Sequence, residues 1–207
     1  MNAPAPAPAA PEPHVLCLAS ASARRRELLT QIGVAHTVSP AAVDEQPLSG
    51  EPPRDYVQRL ARAKALCIWN RRQDLPVLAA DTVVVLGSVL YGKPRDRADA
   101  LEMLAALSGR THEVLTAVAL ATREGVSGAL SLSSVRLRAL SAEERAAYWE
   151  TGEPQDKAGG YAIQGLGAVF VDTLHGSYSG VMGLPLCETA QLLRAARLPY
   201  WRHLAER

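Results

Sequence analysis

The sequence predicts an α/β fold in which a mixed, partly antiparallel sheet is flanked by helices. Residues 77–80 and 82–86 are small, apolar and β-branched, which is typical of a strand buried on both faces. Gly87 and Ser88 form a two-residue turn signal, and residues 89–91 can return as the second arm of a hairpin. Amphipathic segments with helical spacing separate this hairpin from other strand-like runs, so strands and helices are mixed along the chain.

Ahead of the hairpin, the pattern predicts one strand and two helices. Residues 1–13 are an Ala/Pro tract without packing capacity, which we expect to be a disordered arm. Residues 14–19 predict the first strand, and a helix then runs from an N-cap at Ser22 through residue 32. A longer helix opens at residues 52–53, both proline, and continues to about residue 72 with its apolar side chains on one stripe.

After the hairpin, the pattern predicts three helices and three strands. The helices span residues 96–107, 141–152 and 185–195, and the second begins with a capping box, S-x-x-E. The strands span residues 112–122, 129–140 and 168–174, and a glycine-rich loop covers residues 152–167. Because no linker or repeat interrupts residues 14–207, we expect a single domain there.

Composition argues against several classes of protein. The 207 residues carry a net charge of +1 with both signs spread along the chain, and few aromatic residues, so we expect no nucleic-acid partner. Neither a membrane-spanning run nor a secretory signal pattern is recognisable, and we expect no membrane partner. Cys17, Cys67 and Cys187 lie far apart in apolar runs, which predicts buried, reduced thiols. We therefore expect a cytoplasmic protein.

Asp81 interrupts the buried strand, where an uncompensated carboxylate would be costly to desolvate. Lys93 and Arg95 follow the hairpin and could supply the compensating charge. A structural Asp81–Lys93 pair, or a turn-capping role for Asp81, explains this pattern as well as a functional site does.

Three arginines, Arg24, Arg25 and Arg26, occupy the first turn of the predicted first helix. Cations are unfavourable there, because the helix dipole already places positive charge at the N-terminus. The conflict disappears if an anion such as phosphate binds this turn through backbone N–H groups, hydroxyls and guanidinium groups. Solvated arginines are the alternative, and Arg26 in particular can be plain surface.

Other charged residues also allow two interpretations. Asp44 and Glu45 are adjacent in a polar loop, where acids are usually solvated. Lys64 lies in the apolar stripe of its helix, so its amine either extends along the surface to water or reaches inward to an anionic ligand.

The loop over residues 152–167 contains five glycines, which permit positive φ angles and close approach of the backbone to a ligand. Lys157 could pair with a phosphate, and Gln164 offers a donor and an acceptor suited to a base edge. A tight connection with Asp156 and Lys157 on its surface is the alternative.

Five motifs occur in order along the chain: LASASARRRELL, AADT, GKPRD, GEPQDKAGGYAIQG and GSYSGVMGLPLCET. Together, over about residues 15–193, they resemble the Maf family of nucleoside triphosphate pyrophosphatases. The version of the glycine-rich loop that carries Lys157 and Gln164 is similar to the dTTP/UTP pyrophosphatase branch, rather than to the branch that acts on 7-methyl-GTP. Ala23 departs from the family pattern, in which many members have proline, and this loosens the helix start without removing a catalytic group.

The resemblance implies an elongated α/β fold related to the inosine-triphosphatase-like enzymes, with a cleft between two lobes and commonly a homodimer. Family members cleave between the α- and β-phosphates with a divalent metal, and they release a nucleoside monophosphate and pyrophosphate. For this chain the resemblance implies hydrolysis of dTTP and UTP, with modified pyrimidine triphosphates as further candidates.

The resemblance also assigns roles to residues by motif. Asp81 is expected to be the general base, while Arg24, Thr82 and Gln164 fall at specificity positions. The expected catalytic residues are Asp81, Glu45, Lys64 and Lys93. The expected substrate-binding residues are Ser20, Arg24, Arg25, Thr82, Lys157 and Gln164.

The chemistry of the reaction is consistent with these roles. Attack on the α-phosphorus requires a positioned, deprotonated water and neutralisation of the pyrophosphate leaving group. Asp81 can act on the water, and Mg²⁺ or Mn²⁺ held by Asp81 and Glu45 would offset negative charge. Cations and metal near Asp81 predict a low pKa for this carboxyl, so that it positions water more than it takes the proton. The expected phosphate clamps are Arg24, Arg25, Lys64 and Lys93.

Two other functions stay open. A non-catalytic nucleotide-binding regulator, linked to cell division, would keep the cationic clamps. It would have no turnover, and removal of Asp81 would leave its ligand affinity intact. A purine-specific house-cleaning pyrophosphatase would keep the chemistry but make no use of Gln164 in choosing uracil and thymine.

Overall fold

A computed structural model describes residues 14–201 of the chain. The strands of this part are β1 (Leu16–Leu18), β2 (His36–Val38), β3 (Val77–Leu86), β4 (Val89–Tyr91), β5 (Thr111–Thr122), β6 (Gly125–Leu137) and β7 (Val171–His175). The α-helices are α1 (Ala23–Gln31), α2 (Pro53–Trp69), α3 (Arg97–Leu107), α4 (Ala142–Glu150), α5 (Tyr178–Met182) and α6 (Leu186–Ala195). The predicted arm, residues 1–13, lies outside the described residues.

The seven strands form one mixed sheet in the order β2-β1-β3-β5-β6-β7, with β4 attached to β3. β1 runs parallel to both β2 and β3, whereas the pairs β3–β4, β3–β5, β5–β6 and β6–β7 are antiparallel. The predicted α/β class with a mixed, partly antiparallel sheet and flanking helices is confirmed.

β3 is the strand that positions the functional site. One edge pairs with β5 along its length, from Val77 to Val85. On the other edge, Val77 and Leu78 pair with β1 and residues 84–86 pair with β4. In the part of the chain that the structure describes, residues 79–83 therefore have a free strand edge between β1 and β4, and Asp81 and Thr82 lie in this gap.

Side chains of β3 are buried on both faces, as the sequence predicts. On one face, Ala79 and Val83 pack against the apolar stripe of α2 and belong to the same cluster as Leu115 of β5. On the other face, Leu78 and Ala80 pack with side chains of α1 and α6. Burial of apolar area on both faces fixes the strand in the middle of the structure, which holds the gap residues rigidly.

The predicted local signals at the helix ends are confirmed. The side-chain oxygen of Ser22 accepts from the backbone N–H of Arg25 at the start of α1. Asp96 caps α3 in the same way, and Ser141 forms the expected capping box with Glu144 at α4. The Gly87-Ser88 turn joins β3 to β4, so the predicted hairpin is also confirmed.

Several elements differ from the sequence prediction. β2 is missing from the prediction, because three residues in pairing with β1 leave no detectable alternation. The predicted strand at 168–174 begins later, since residues Leu166–Phe170 form a 3-10 helix before β7. α5 is also missing from the prediction; it begins where the Ser177 hydroxyl accepts from the Gly180 N–H. β6 begins at Gly125, directly after a two-residue turn.

The three cysteines are free thiols with different exposures. Cys17 is buried in β1, whereas Cys67 is partly buried and Cys187 is exposed. The prediction of three buried thiols is therefore wrong for Cys187, because an apolar run in sequence does not show which face of a helix its members occupy. Across residues 14–201, none of the helices combines the length and the apolar character that a bilayer crossing requires.

Candidate active site

A cleft of about 360 Å³ opens beside the free edge of β3. Its walls come from the start of α1, one face of α2, β3 itself, the loop before α2, residues 156–164 and residues 181–183. The ten residues that the sequence predicts for the site all line this cleft: Ser20, Arg24, Arg25, Glu45, Lys64, Asp81, Thr82, Lys93, Lys157 and Gln164. Eight of these residues come from four separate motifs, and Glu45 and Lys64 lie outside the motifs.

Lys64 reaches inward from α2 and contacts two carboxylates. Its Nζ lies 2.6 Å from Oδ1 of Asp81 and 2.6 Å from Oε1 of Glu45. The side chains of Lys64 and Asp81 are only 11% and 10% exposed, whereas that of Glu45 is 53% exposed. Lys64 thus reaches inward rather than along the surface to water, but its partners are two carboxylates of the protein. The carboxylate of Asp81 pairs with Lys64 rather than with Lys93. Lys93 is exposed at the rim of the cleft.

The two carboxyl groups beside Lys64 have opposite pKa shifts. Burial raises the pKa of Asp81, and the charges of Lys64 and Arg25 offset this effect only in part. Burial also raises the pKa of Glu45, but the hydrogen bond and charge of Lys64 outweigh it, so the pKa of Glu45 falls below its usual range. Without a bound metal, the pKa of Asp81 is therefore shifted upward rather than held low, because the strand removes more hydration than the cations replace. A raised pKa makes Asp81 the better proton acceptor of the two.

Arg25 ties three parts of the cleft together with its guanidinium group. Nε donates to the carbonyl of Gly183 at 2.7 Å, Nη1 donates to Oγ of Ser20 at 3.1 Å, and Nη2 donates to Oγ1 of Thr82 at 3.2 Å. Burial lowers the pKa of Arg25, while the negative charge of Asp81 opposes this shift. Arginine stays protonated in such a setting, so Arg25 provides a fixed positive charge behind the cleft.

Arg24 connects the start of α1 to the glycine-rich loop. Its Nε donates to the carbonyl of Met182 at 3.3 Å, and its Nη1 lies 3.7 Å from Oδ2 of Asp156. Lys157 also pairs with Asp156, so this acid lies between two cations. Arg26 is exposed and does not line this cleft, which agrees with its interpretation as plain surface.

The glycine-rich loop is a series of 3-10 turns held by two side chains. The carboxylate of Glu153 accepts the N–H groups of Leu166 and Gly167, and the hydroxyl of Tyr148 accepts that of Ala162. A Cβ at Gly165 would lie 2.0 Å from Oε1 of Glu153, and the φ of Gly165 is +101°. The loop therefore requires glycine there to adopt a positive φ and pack against its own Glu153, as a tight connection does, while residues 156–158 and 161–164 of the loop line the cleft.

Sequence reasoning missed several residues that shape the cleft. Tyr56 lines it and donates its hydroxyl to the carbonyl of Glu45 at 2.8 Å. Thr116 lies behind Thr82 on β5, and Asp156, which the sequence placed only beside Lys157 at the surface, also pairs with Arg24. Tyr56 was hidden as one more member of the apolar stripe of α2. Thr116 gives no signal at all, because a Thr in a strand is ordinary.

The site offers two oxygen ligands for a hard cation, but no complete cage. Among the described residues, no group of three or more His, Cys, Asp or Glu is arranged to hold a metal ion. Asp81 and Glu45 nevertheless meet at Lys64 and retain oxygen atoms that Lys64 does not contact. Two carboxylates that share an ion with substrate phosphates and water suit magnesium-class cations, so the donor set fits such an ion.

These features define a class of protein: an α/β protein in which a buried carboxylate faces a cleft lined by cations, as in a hydrolytic site. Such a site suits the hydrolysis of an anionic, phosphate-bearing substrate. A family model described as Maf-like protein matches residues 15–196. The chain belongs to the Maf-like family, and the resemblance inferred from its motifs is confirmed.

Three relatives cover most of the chain. A dTTP/UTP pyrophosphatase of Bordetella avium is 56% identical over 182 residues, which are 84% of this chain and 90% of that protein. A protein of the same name from Saccharophagus degradans is 53% identical over 186 residues, covering 88% and 89%. A third, from Methylobacillus flagellatus, is 54% identical over 173 residues, covering 83% and 87%.

Proposed function

We propose that this chain is a nucleoside triphosphate pyrophosphatase that hydrolyses dTTP and UTP to the nucleoside monophosphate and pyrophosphate. The observation that carries the proposal is the buried Asp81, paired with Lys64 at the free edge of β3 in a cation-lined cleft. The substrate follows from the relatives named dTTP/UTP pyrophosphatase, which are 53% to 56% identical to this chain.

Asp81 acts on the attacking water in this proposal. The water oxygen forms a bond to the α-phosphorus, the bond from that phosphorus to the bridging oxygen breaks, and pyrophosphate leaves. Asp81 accepts the proton that the water loses and later releases it to solvent. Lys64 holds the carboxylate in place at 2.6 Å, and the limited exposure of both side chains strengthens this interaction.

Cations around the cleft neutralise the phosphates and the pyrophosphate leaving group. Lys93 at the rim is free to turn towards a polyphosphate chain, and Arg24 lies at the start of α1. An anion at this helix start resolves the unfavourable placement of arginines at a positive dipole end. Arg25 contributes charge from behind, since several of its N–H groups are already donated to protein acceptors.

We extend the proposal to a divalent cation, Mg²⁺ or Mn²⁺, held by Asp81 and Glu45 together with substrate oxygens. When bound, such an ion would neutralise phosphate charge and polarise the phosphorus centre. The different burial of the two carboxylates, with Glu45 half exposed, leaves a route for solvent ligands on the Glu45 side. Lys64 keeps both carboxylates oriented in either case.

Base selection, assembly and location belong to the same proposal. Gln164, Arg24 and Thr82 line the cleft and would contact the base, with modified pyrimidine triphosphates as further substrates. The resemblance to the family supports a homodimer. The free state of Cys17, Cys67 and Cys187 supports a reducing compartment, which we take to be the cytoplasm.

Release of monophosphate and pyrophosphate from a panel of nucleoside triphosphates, with and without Mg²⁺ or Mn²⁺, tests the proposal. We expect metal-dependent release from dTTP and UTP, and a loss of about 10²–10⁴-fold in kcat in Asp81→Asn with nucleotide binding retained. Glu102→Gln, at an exposed acid of α3, is the matched control and should leave kcat unchanged.

The other outcomes identify the competing functions. Nucleotide binding without turnover by the unmodified chain would favour the regulator. Turnover confined to purine triphosphates would keep the reaction and overturn the proposed substrate class.

A further inference from the structure

A chain of hydrogen bonds runs from the cleft into the sheet through two threonines. Thr82 of β3 and Thr116 of β5 are directly paired neighbours, and their Oγ1 atoms are 3.0 Å apart. Thr116 is 1% exposed, and its hydroxyl donates to the carbonyl of Gly180 at 2.7 Å. Arg25 Nη2 donates to Oγ1 of Thr82 at 3.2 Å. None of the sequence motifs assigns a role to Thr116.

The direction of each hydrogen bond in this chain follows from the available protons. A carbonyl oxygen only accepts, so the single hydroxyl proton of Thr116 is directed at Gly180. Thr116 can then only accept from Thr82, and the single proton of Thr82 is directed away from the cleft. One lone pair of Thr82 is occupied by Arg25. The remaining lone pair makes Thr82 an acceptor towards the cleft.

We propose that Thr116 is a positioning residue for base selection: it fixes the Thr82 hydroxyl as an acceptor that recognises the N3–H of uracil or thymine. Cytosine has an acceptor at the same ring position, so two lone pairs would face each other and the base would be rejected. This inference rests on the proposed function, which supplies the pyrimidine substrate.

The placement of Thr82 suits a base better than a phosphate. A phosphate oxygen is itself an acceptor, so it gains nothing from a hydroxyl whose proton is used elsewhere. Asp81 and Thr82 are adjacent in a strand and therefore point to opposite faces of the sheet. Asp81 faces Lys64 on α2, whereas Thr82 faces Arg25, which reaches it from α1. The Thr82 hydroxyl thus lies on the α1 side of β3, away from the Asp81–Lys64 pair.

Neighbouring donors complete the pattern that uracil and thymine require. The imide N–H of these bases lies between two carbonyl oxygens, so the protein must present donor, acceptor and donor groups in turn. Thr82 supplies the acceptor, while the amide of Gln164 and the guanidinium of Arg24, which line the same cleft, are available donors.

Thr116→Val removes the hydroxyl with little change of shape and should preserve the fold. The carbonyl of Gly180 also accepts the N–H of Gly183 at 2.9 Å, so it keeps a partner in the variant. Thr82 still accepts from Arg25, but its proton is released to turn towards the cleft. Thr116→Ser is the matched control, because it retains the hydroxyl and its direction.

The test measures kcat/KM for UTP and CTP in the three proteins. We expect the UTP/CTP ratio to fall at least tenfold in Thr116→Val, mainly through a gain with CTP, and to stay within threefold of the original in Thr116→Ser. If Thr116 had a purely structural role, kcat/KM would fall for UTP and CTP together and their ratio would stay unchanged. An unchanged ratio in Thr116→Val, or equal loss in Thr116→Ser, would overturn the inference.

A second measurement uses the unmodified protein and the triphosphate of N3-methyluridine, which has no N3–H. We expect its kcat/KM to fall at least tenfold below that of UTP, and equal turnover of the two would refute the role of Thr82. The proposed function fails separately, if the unmodified protein releases no pyrophosphate from UTP. Calorimetric binding of UTP and CTP to the unmodified protein and Thr116→Val would then still decide the inference.

Discussion

Lys64 is the cation nearest to Asp81, and Lys64→Met removes its charge from between two carboxylates while keeping most of its apolar length. The side chain of Asp81 is 10% exposed, so water cannot replace the lost partner efficiently. We expect the pKa of Asp81 to rise further in this variant, until the carboxyl is protonated in the folded protein at neutral pH.

The cost of this change has an upper limit that can be worked out. An aspartate in the unfolded chain has a pKa of about 3.9, so protonating it at pH 7 costs about 4 kcal/mol. The folded variant avoids any larger penalty by taking up the proton. Breaking a buried pair by removing one partner typically costs about 3–5 kcal/mol. We therefore expect Lys64→Met to lower the free energy of unfolding by about 3–4 kcal/mol at pH 7.

The same argument predicts how the loss depends on pH. The folded variant holds a proton on Asp81 that the unfolded chain releases, so the variant gains stability relative to the original as the pH falls. The difference should shrink by about 2 kcal/mol between pH 7 and pH 5.5. Urea unfolding of both proteins at the two pH values measures this, and turnover of UTP at pH 7 should be lost in parallel.

Two control variants separate charge from packing. Lys93→Met removes an exposed lysine of the same cleft and should change stability by less than about 0.5 kcal/mol. The double variant Lys64→Met/Asp81→Asn removes both charges of the buried pair, so it should recover most of the lost stability at pH 7 and show no extra pH dependence. A loss below about 1 kcal/mol for Lys64→Met, or the same loss at both pH values, would refute the reasoning.

Three further changes have defined outcomes. In Arg25→Lys the amine cannot reach the acceptors on Gly183, Ser20 and Thr82 together, so urea unfolding should show a free energy of unfolding lower by about 2–4 kcal/mol. Arg26→Lys, at the surface, should change it little. Equal stabilities of the two variants would contradict the role of this hydrogen-bond network. Burial lowers the pKa of His112 to about 4, so the unfolded chain takes up a proton there that the folded protein does not. The folded protein should therefore lose up to about 3 kcal/mol of stability as the pH falls from about 6.5 towards 4. His112→Gln should lack this loss in the same unfolding series. Gly183→Ala should lower the free energy of unfolding by about 1–3 kcal/mol and weaken calorimetric binding of UTP, because φ is +113° at a residue that lines the cleft and whose carbonyl accepts from Arg25. Gly92→Ala, with open space around it, is the control for that calorimetric comparison.

Local signals in the sequence predicted most of the fold. The apolar run of β3 and its two-residue turn gave the central hairpin, and the caps at Ser22 and Ser141 gave the starts of α1 and α4. Each of these depends on interactions within a few residues, which a sequence shows directly. β2 and α5 escaped prediction because β2 depends on pairing with β1 and α5, at five residues, is too short to show a helical period.

The residues of the cleft were likewise predictable as a set, because their motifs carry the family resemblance. The ion-pair partners of these residues were not predictable from the sequence. Asp81 pairs with Lys64 across 17 positions of sequence, rather than with the nearer Lys93. The direction of the pKa shift at Asp81 could not be obtained either, because it depends on the balance between lost hydration and nearby charge.

By itself, then, the sequence determined the class of fold, the family and the chemical groups available for the reaction. Only the tertiary structure decided which of those groups are desolvated, which are paired and which way their protons point. Thr116 shows this most clearly: it is an ordinary strand residue in the sequence, yet its burial beside Thr82 and Gly180 orients a hydroxyl in the cleft. Hydrogen-bond direction and desolvation arise from groups that meet in space, so no local pattern of residues encodes them.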